Sequence, residues 1–101
     1  MAYQNDADYI RENVSELDRL DQLMEECSEL LVACSKRKRA LQGTNPTPVT
    51  VEQAWREIKQ ESQDVLNVMC TLGLFTFADP EGGTTKRMKG KMERWRLRVG
   101  E

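Results

Sequence analysis

Two pairs of acids interrupt stretches whose apolar residues repeat at helical spacing. The first lies in Glu25-Glu26-Cys27-Ser28-Glu29, the second in Glu61-Ser62-Gln63-Asp64. A helix advances about 100° per residue, so groups at i and i+3 share a face. Glu26 and Glu29 therefore leave one helix in a common direction, and Glu61 and Asp64 leave another. Two such helices packed side by side bring four carboxylates toward one point. Like charges about 4–5 Å apart repel by roughly 3–4 kcal/mol at an effective dielectric near 20. A chain that builds this junction needs protons or a divalent cation there. Hard oxygen donors, with no histidine or thiolate among them, suit Mg²⁺, with Mn²⁺ as a substitute, over Zn²⁺. A magnesium held in such a box would in turn hold phosphates.

The rest of the chain is patterned for helices. Asn5 or Asp6 can cap a short first helix running to about Asn13, anchored by Tyr9 and Ile10. Ser15-Glu16-Leu17-Asp18 opens a long helix, with a serine cap and acids in the first turn. Its apolar residues are Leu20, Leu23, Cys27, Leu30, Leu31 and Cys34, at spacings of three, four and seven. Gly43 stops it after about Leu41. Thr44-Asn45-Pro46-Thr47-Pro48 reads as an extended connector, because proline removes donors and biases its predecessor away from helix. Thr50-Val51-Glu52-Gln53 is a capping box that opens a second long helix, to about Leu74. Residues 78–83 (ADPEGG) make a turn. A last helix spans about 85–99, with Met88, Met92, Trp95 and Val99 as its stripe. No strand alternation or repeat is present. The expected fold is all-α, one domain over residues 1–101: a helical bundle with two long central helices and short N- and C-terminal ones.

Composition narrows the function. A domain of 101 residues buries roughly 65% of its unfolded surface, so it folds with little margin and self-association would help. A net charge of −2 gives no support for binding a nucleic-acid polymer. No apolar run approaches the ~20 residues that span a membrane. The start, MAYQNDADYI, lacks the basic-then-apolar pattern of a signal peptide, and cytoplasmic residence is expected. Cys27, Cys34 and Cys70, odd in number and unclustered, fit a reducing compartment and read as small buried hydrophobes. The absence of histidine removes most zinc sites and every histidine-dependent triad.

On a helical wheel, Glu26 and Glu29 lie beside the first long helix's apolar arc, with Gln22, Ala33 and Lys36 on the same flank. Glu61 falls inside the second helix's apolar arc, between Val65 and Val68 in angle, and Asp64 sits at its edge. An ionised carboxylate there costs several kcal/mol unless paired or metal-bound. A buried salt bridge to a lysine or arginine is the competing explanation. Glu25 lies further toward solvent: a support for the ligands, a further ligand, or an exposed acid. Candidate substrate contacts are Gln22, Lys36, Asn67, Lys91 and Arg94. Lys36 follows Glu29 by two turns, Asn67 can reach a sugar or base, and Lys91, Arg94 and Arg98 make a basic stripe on the last helix. A solvated basic face is the plainer account of that stripe. Trp55 can stack on a base or sit half in the core. Trp95 and the methionines read as core.

The pattern EExxE followed by ExxD on two adjacent helices resembles the MazG-like branch of the all-α nucleoside triphosphate pyrophosphohydrolases. The flanking QLMEECSELLVACSK and ESQDVLNVM and the closing KMERWRLR are similar too, and the resemblance covers roughly residues 15–98. It implies an Mg²⁺-dependent enzyme that turns a nucleoside triphosphate into the monophosphate and pyrophosphate. It also implies a four-helix core completed or extended by oligomerisation, as a homodimer or homotetramer. By motif position Glu26, Glu29, Glu61 and Asp64 are the metal-binding acids, with Glu25 as a further catalytic acid. The 31 residues between Glu29 and Glu61 exceed the family's usual spacing, which bears on substrate choice. A phosphoribosyl-nucleotide pyrophosphatase, a non-catalytic interaction module and a slow nucleotide-binding regulator are the alternatives.

Overall fold

The computed structural model describes residues 2–43, 49–74 and 86–100. Their regular structure is entirely helical: α1 (Ala2–Asn13), α2 (Glu16–Gln42), α3 (Val51–Thr71) and α4 (Lys86–Gly100). The protein is an all-α helical bundle. At 1.5 Å per residue, α2 and α3 are about 40 Å and about 32 Å long. They form the main packed pair, and α1 lies against α3. The proposed connector at 44–48 and turn at 78–83 fall outside the described residues. Among those described, no helix is long and apolar enough to cross a membrane.

Local chemistry sets most helix ends. Ser15 Oγ accepts the Asp18 N–H at 3.1 Å and starts α2. Gly43 ends it in a left-handed conformation, φ 71°, which costs glycine nothing. The capping box at α3 is formed in both directions: Thr50 Oγ1 accepts the Gln53 N–H, and Gln53 Oε1 accepts the Thr50 N–H. Two ends differ from expectation. α1 begins at Ala2, ahead of the proposed Asn5 or Asp6 cap, and a Gln4–Asp8 side-chain bond of 2.9 Å braces its first turns. α3 stops at Thr71, short of Leu74. Gly73 takes φ 73°, its N–H returns to Cys70, and the Leu74 N–H returns to Met69. These paired bonds close a helix by the Schellman arrangement.

Among the described residues the buried apolar ones are small: Ala7, Ala33, Ala54 and Cys70. Ala33 of α2 and Ala54 of α3 let the two helix axes approach closely. Leu23 and Leu30 of α2 and Ile58, Val65 and Met69 of α3 are half-buried.

Several expected core residues stay outside. Cys27 and Cys34 are exposed, while Cys70 is buried. The α2 apolar arc is wider than one neighbouring helix can cover. Leu23 and Leu30 fall on the side of Ala33, and Leu20 and Leu31 do not. Met88, Met92 and Trp95 are also exposed, and α4 has no buried residue. A wheel shows a stripe's direction but not whether anything lies against it.

Candidate metal centre

The close approach of α2 and α3 turns the acids on their flanks toward each other. One carboxylate oxygen each from Glu26, Glu29 and Glu61 lies within 4.8 Å of the other two. Glu26 Oε1 accepts a hydrogen bond from Gln22 Nε2 at 2.8 Å, one turn earlier on α2. Glu26 Oε2 and Glu61 Oε2 are closed off from solvent and have no hydrogen-bond partner. Orphaned acceptors of this kind are costly in a folded chain. Glu29 stands at the exposed rim. The Glu26 charge, and after it Glu61, holds the Glu29 carboxyl above the usual carboxylate range, with smaller contributions from desolvation, a hydrogen bond with Glu61, and Glu25.

A groove of about 300 Å³ opens beside the cluster, lined by Glu29 and Glu61 and, further along, by Lys36 and Glu57. Lys36 Nζ lies 3.6 Å from Glu57 Oε2, so the cation closest to hand is directed at a different acid. Three hard oxygen donors, two of them on carboxylates with an unsatisfied buried oxygen, fit Mg²⁺ or Mn²⁺ and would suit a softer metal poorly.

Other candidate residues are distributed differently. Asp64 is exposed and does not join the three-carboxylate group. Glu25 is exposed but close enough for Glu29 to feel its charge. Asn67 accepts a hydrogen bond from the Tyr3 hydroxyl at 2.6 Å and lines a separate cleft of about 220 Å³ between α1 and α3. Lys91 and Arg94 are exposed on α4, and neither lines the groove. Trp55 is half exposed, with Arg37 at 4.5 Å and Lys59 at 5.7 Å from its ring. Glu57 was not signalled by the ExxD pattern. Its position one turn before Glu61 on α3 is the cue that places it on the same face.

Comparison with family models, with curated proteins and with solved structures gives no match.

Proposed function

We propose that the protein is an Mg²⁺-dependent nucleoside triphosphate pyrophosphohydrolase of the MazG-like kind, releasing a monophosphate and pyrophosphate. The observation that carries this reading is the meeting of Glu26, Glu29 and Glu61 within 4.8 Å, with no lysine or arginine paired to them among the described residues. The likeness of the acid pattern to that family supports it as well. A divalent ion in the cluster would neutralise phosphate charge and activate water as the nucleophile.

The chain's own groups would do the rest. Gln22 fixes the orientation of Glu26 by occupying Oε1, which leaves Oε2 for the ion. Glu29, whose proton affinity is raised chiefly by the Glu26 charge, would be relieved of that repulsion as the cation enters. Lys36, further along the groove and paired with Glu57 in the free chain, is the lysine that would turn to phosphate oxygens. Glu25 is the candidate acceptor for the proton of the attacking water. Asp64 enters only by its position three residues after Glu61. Lys91 and Arg94 lie off the groove, so within one chain the phosphate contact falls to Lys36. Each turnover consumes one water and breaks one P–O–P bond.

A panel of ribo- and deoxyribonucleoside triphosphates, with a phosphoribosyl nucleotide added, tests this with and without Mg²⁺. Monophosphate and pyrophosphate should appear together, from a triphosphate, only when Mg²⁺ is present. Pyrophosphate from none of the substrates would end the hydrolase reading, and release from the phosphoribosyl nucleotide alone would move it to that substrate class.

A further inference from the structure

The last helix carries a pattern that the carboxylate cluster does not use. α4 holds seven lysines and arginines and one acid, Glu93, for a net charge of +6 in a chain whose net charge is −2. Met88, Met92, Trp95 and Val99 follow one another at steps of four, three and four. Those steps keep them within an arc of about 60°. All four are exposed, Trp95 at 59% and Val99 at 75%. Among the described residues α4 shares no extended interface with α1, α2 or α3.

Where the cations stand relative to that stripe decides what fits on it. At about 100° per residue, Lys91, Arg98 and Arg87 lie roughly 70–110° to one side of its centre, and Arg96 and Lys89 roughly 70–90° to the other. Glu93 and Leu97 are on the far side, about 130° and about 170° away. The five flanking cations are exposed, and among the described residues none is paired with an acid of the chain.

An apolar band between two rows of cations matches a lipid surface. Methionine, valine and tryptophan side chains enter the boundary between headgroups and acyl chains, and the indole settles at headgroup level. Lysine and arginine lay their aliphatic stems along that boundary and put their charges on phosphates. Other occupants fit less well. A nucleic-acid strand calls for cations at the centre of the face, and it would leave Met92 and Val99 uncovered. A second α4 would set cations against cations along both flanks. α4 is not apolar enough to cross a bilayer, so its place is in the plane of the surface. We propose that α4 docks the protein on an anionic phospholipid surface, with the Met88–Met92–Trp95–Val99 stripe inward and the flanking cations on the headgroups. The rest of the chain is net acidic, which confines the attraction to α4 and turns the remaining helices away from the lipid. This docking stands on α4 alone and does not depend on a metal in the carboxylate cluster.

Vesicle binding by the full chain tests it. Trp55→Phe leaves Trp95 as the single tryptophan. In that variant, mixed phosphatidylcholine–phosphatidylserine vesicles should shift the Trp95 emission to the blue and shield it from acrylamide, and phosphatidylcholine vesicles should do neither. The bound fraction should fall as salt is raised. Met92→Gln should weaken binding about 10-fold, with its helical circular dichroism kept because the side chain is 64% exposed. Lys91→Gln/Arg98→Gln should weaken it about 25-fold, at about fivefold for each cation near the surface. Leu97→Gln, on the far side, should leave it unchanged. Equal binding to both vesicles, binding to neither, or a loss in Leu97→Gln as large as in Met92→Gln each overturns the proposal. So does a Trp95 already shielded before vesicles are added, which would mean that another copy covers the stripe. A Trp95 shift caused by polyuridylate and not by vesicles would overturn it in favour of a nucleic-acid surface.

Discussion

The helices that carry the site treat charge in opposite ways at α3's ends and at its middle. At the Thr71 end, Arg11 Nε and Arg19 Nη1 both donate to the Thr71 carbonyl, at 3.1 and 2.6 Å. At the other end, Arg37 Nη1 donates to the Val51 carbonyl at 3.0 Å and its guanidinium lies over Trp55. Between them, three carboxylates crowd within 4.8 Å, and among the described residues no lysine or arginine pairs with them. The chain is not short of cations, with 15 lysines and arginines against 17 acids. It directs arginines at backbone carbonyls, including the negative end of the α3 dipole, and leaves the middle uncompensated. A sequence shaped by stability alone would set a guanidinium against Glu61. On the function proposed above, a cation from outside the chain would relieve that mismatch.

Substitutions at the two regions should move stability in opposite directions. Glu61→Gln has the largest expected effect. Mg²⁺-dependent turnover should fall by more than about 100-fold, because even a group that merely supports a metal ligand is worth about 10–100-fold. Without Mg²⁺ the same variant should melt above wild type, since one of three repelling charges is gone. Pyrophosphate release and paired melting curves measure both. Turnover near the wild-type rate would remove Glu61 from the chemistry.

Arg19→Ala should do the reverse. It removes a charged donor from the Thr71 carbonyl and should cost about 1.5–3 kcal/mol of stability, with or without Mg²⁺. Mg²⁺ affinity, read by calorimetry, should not change. A variant as stable as wild type would show that Arg11 alone satisfies that end of α3. Gln22→Ala is gentler. It frees Glu26 Oε1 and should weaken Mg²⁺ binding about 10-fold, while the metal-free melting curve moves by less than about 0.5 kcal/mol. Unchanged affinity would make the Gln22–Glu26 bond incidental to the site.

How much of this was legible in the sequence follows from range. Ser15, Gly43 and the Thr50–Gln53 box act within one turn of themselves, and the structure uses each as its residue type dictates. The meeting of Glu26 and Glu29 with Glu61 is legible for the same reason, given that two amphipathic helices pack along their length. Asp64 obeys the same spacing rule as Glu29, yet a three-residue step still turns it about 60° from Glu61, and here that is enough to reach solvent. The Arg19–Thr71 bond spans 52 residues, and no local pattern encodes it. Cys27, Cys34, Met92 and Trp95 have core spacing but are exposed. Spacing records that a face is apolar, and only the assembled structure records what lies against it.

The smallest expected effect concerns pH, and its sign separates protons from metal as the relief for the cluster. The folded chain raises the Glu29 pKa, chiefly through Glu26 and then Glu61. A carboxyl with a raised folded pKa binds its proton more tightly in the native state than in the unfolded one. Its contribution is therefore fully present below the unfolded carboxylate pKa and is lost as pH rises through the folded value. This is opposite to the trend of a salt-bridged acid. A bound divalent ion replaces the proton, so the loss should vanish and metal uptake should release protons. Melting temperature measured from mildly acidic to neutral pH in chelator should fall more steeply for wild type than for Glu29→Gln, which removes the titrating group. In Mg²⁺ the wild-type curve should flatten. If the chelator and Mg²⁺ curves coincide at every pH, the three carboxylates hold no ion.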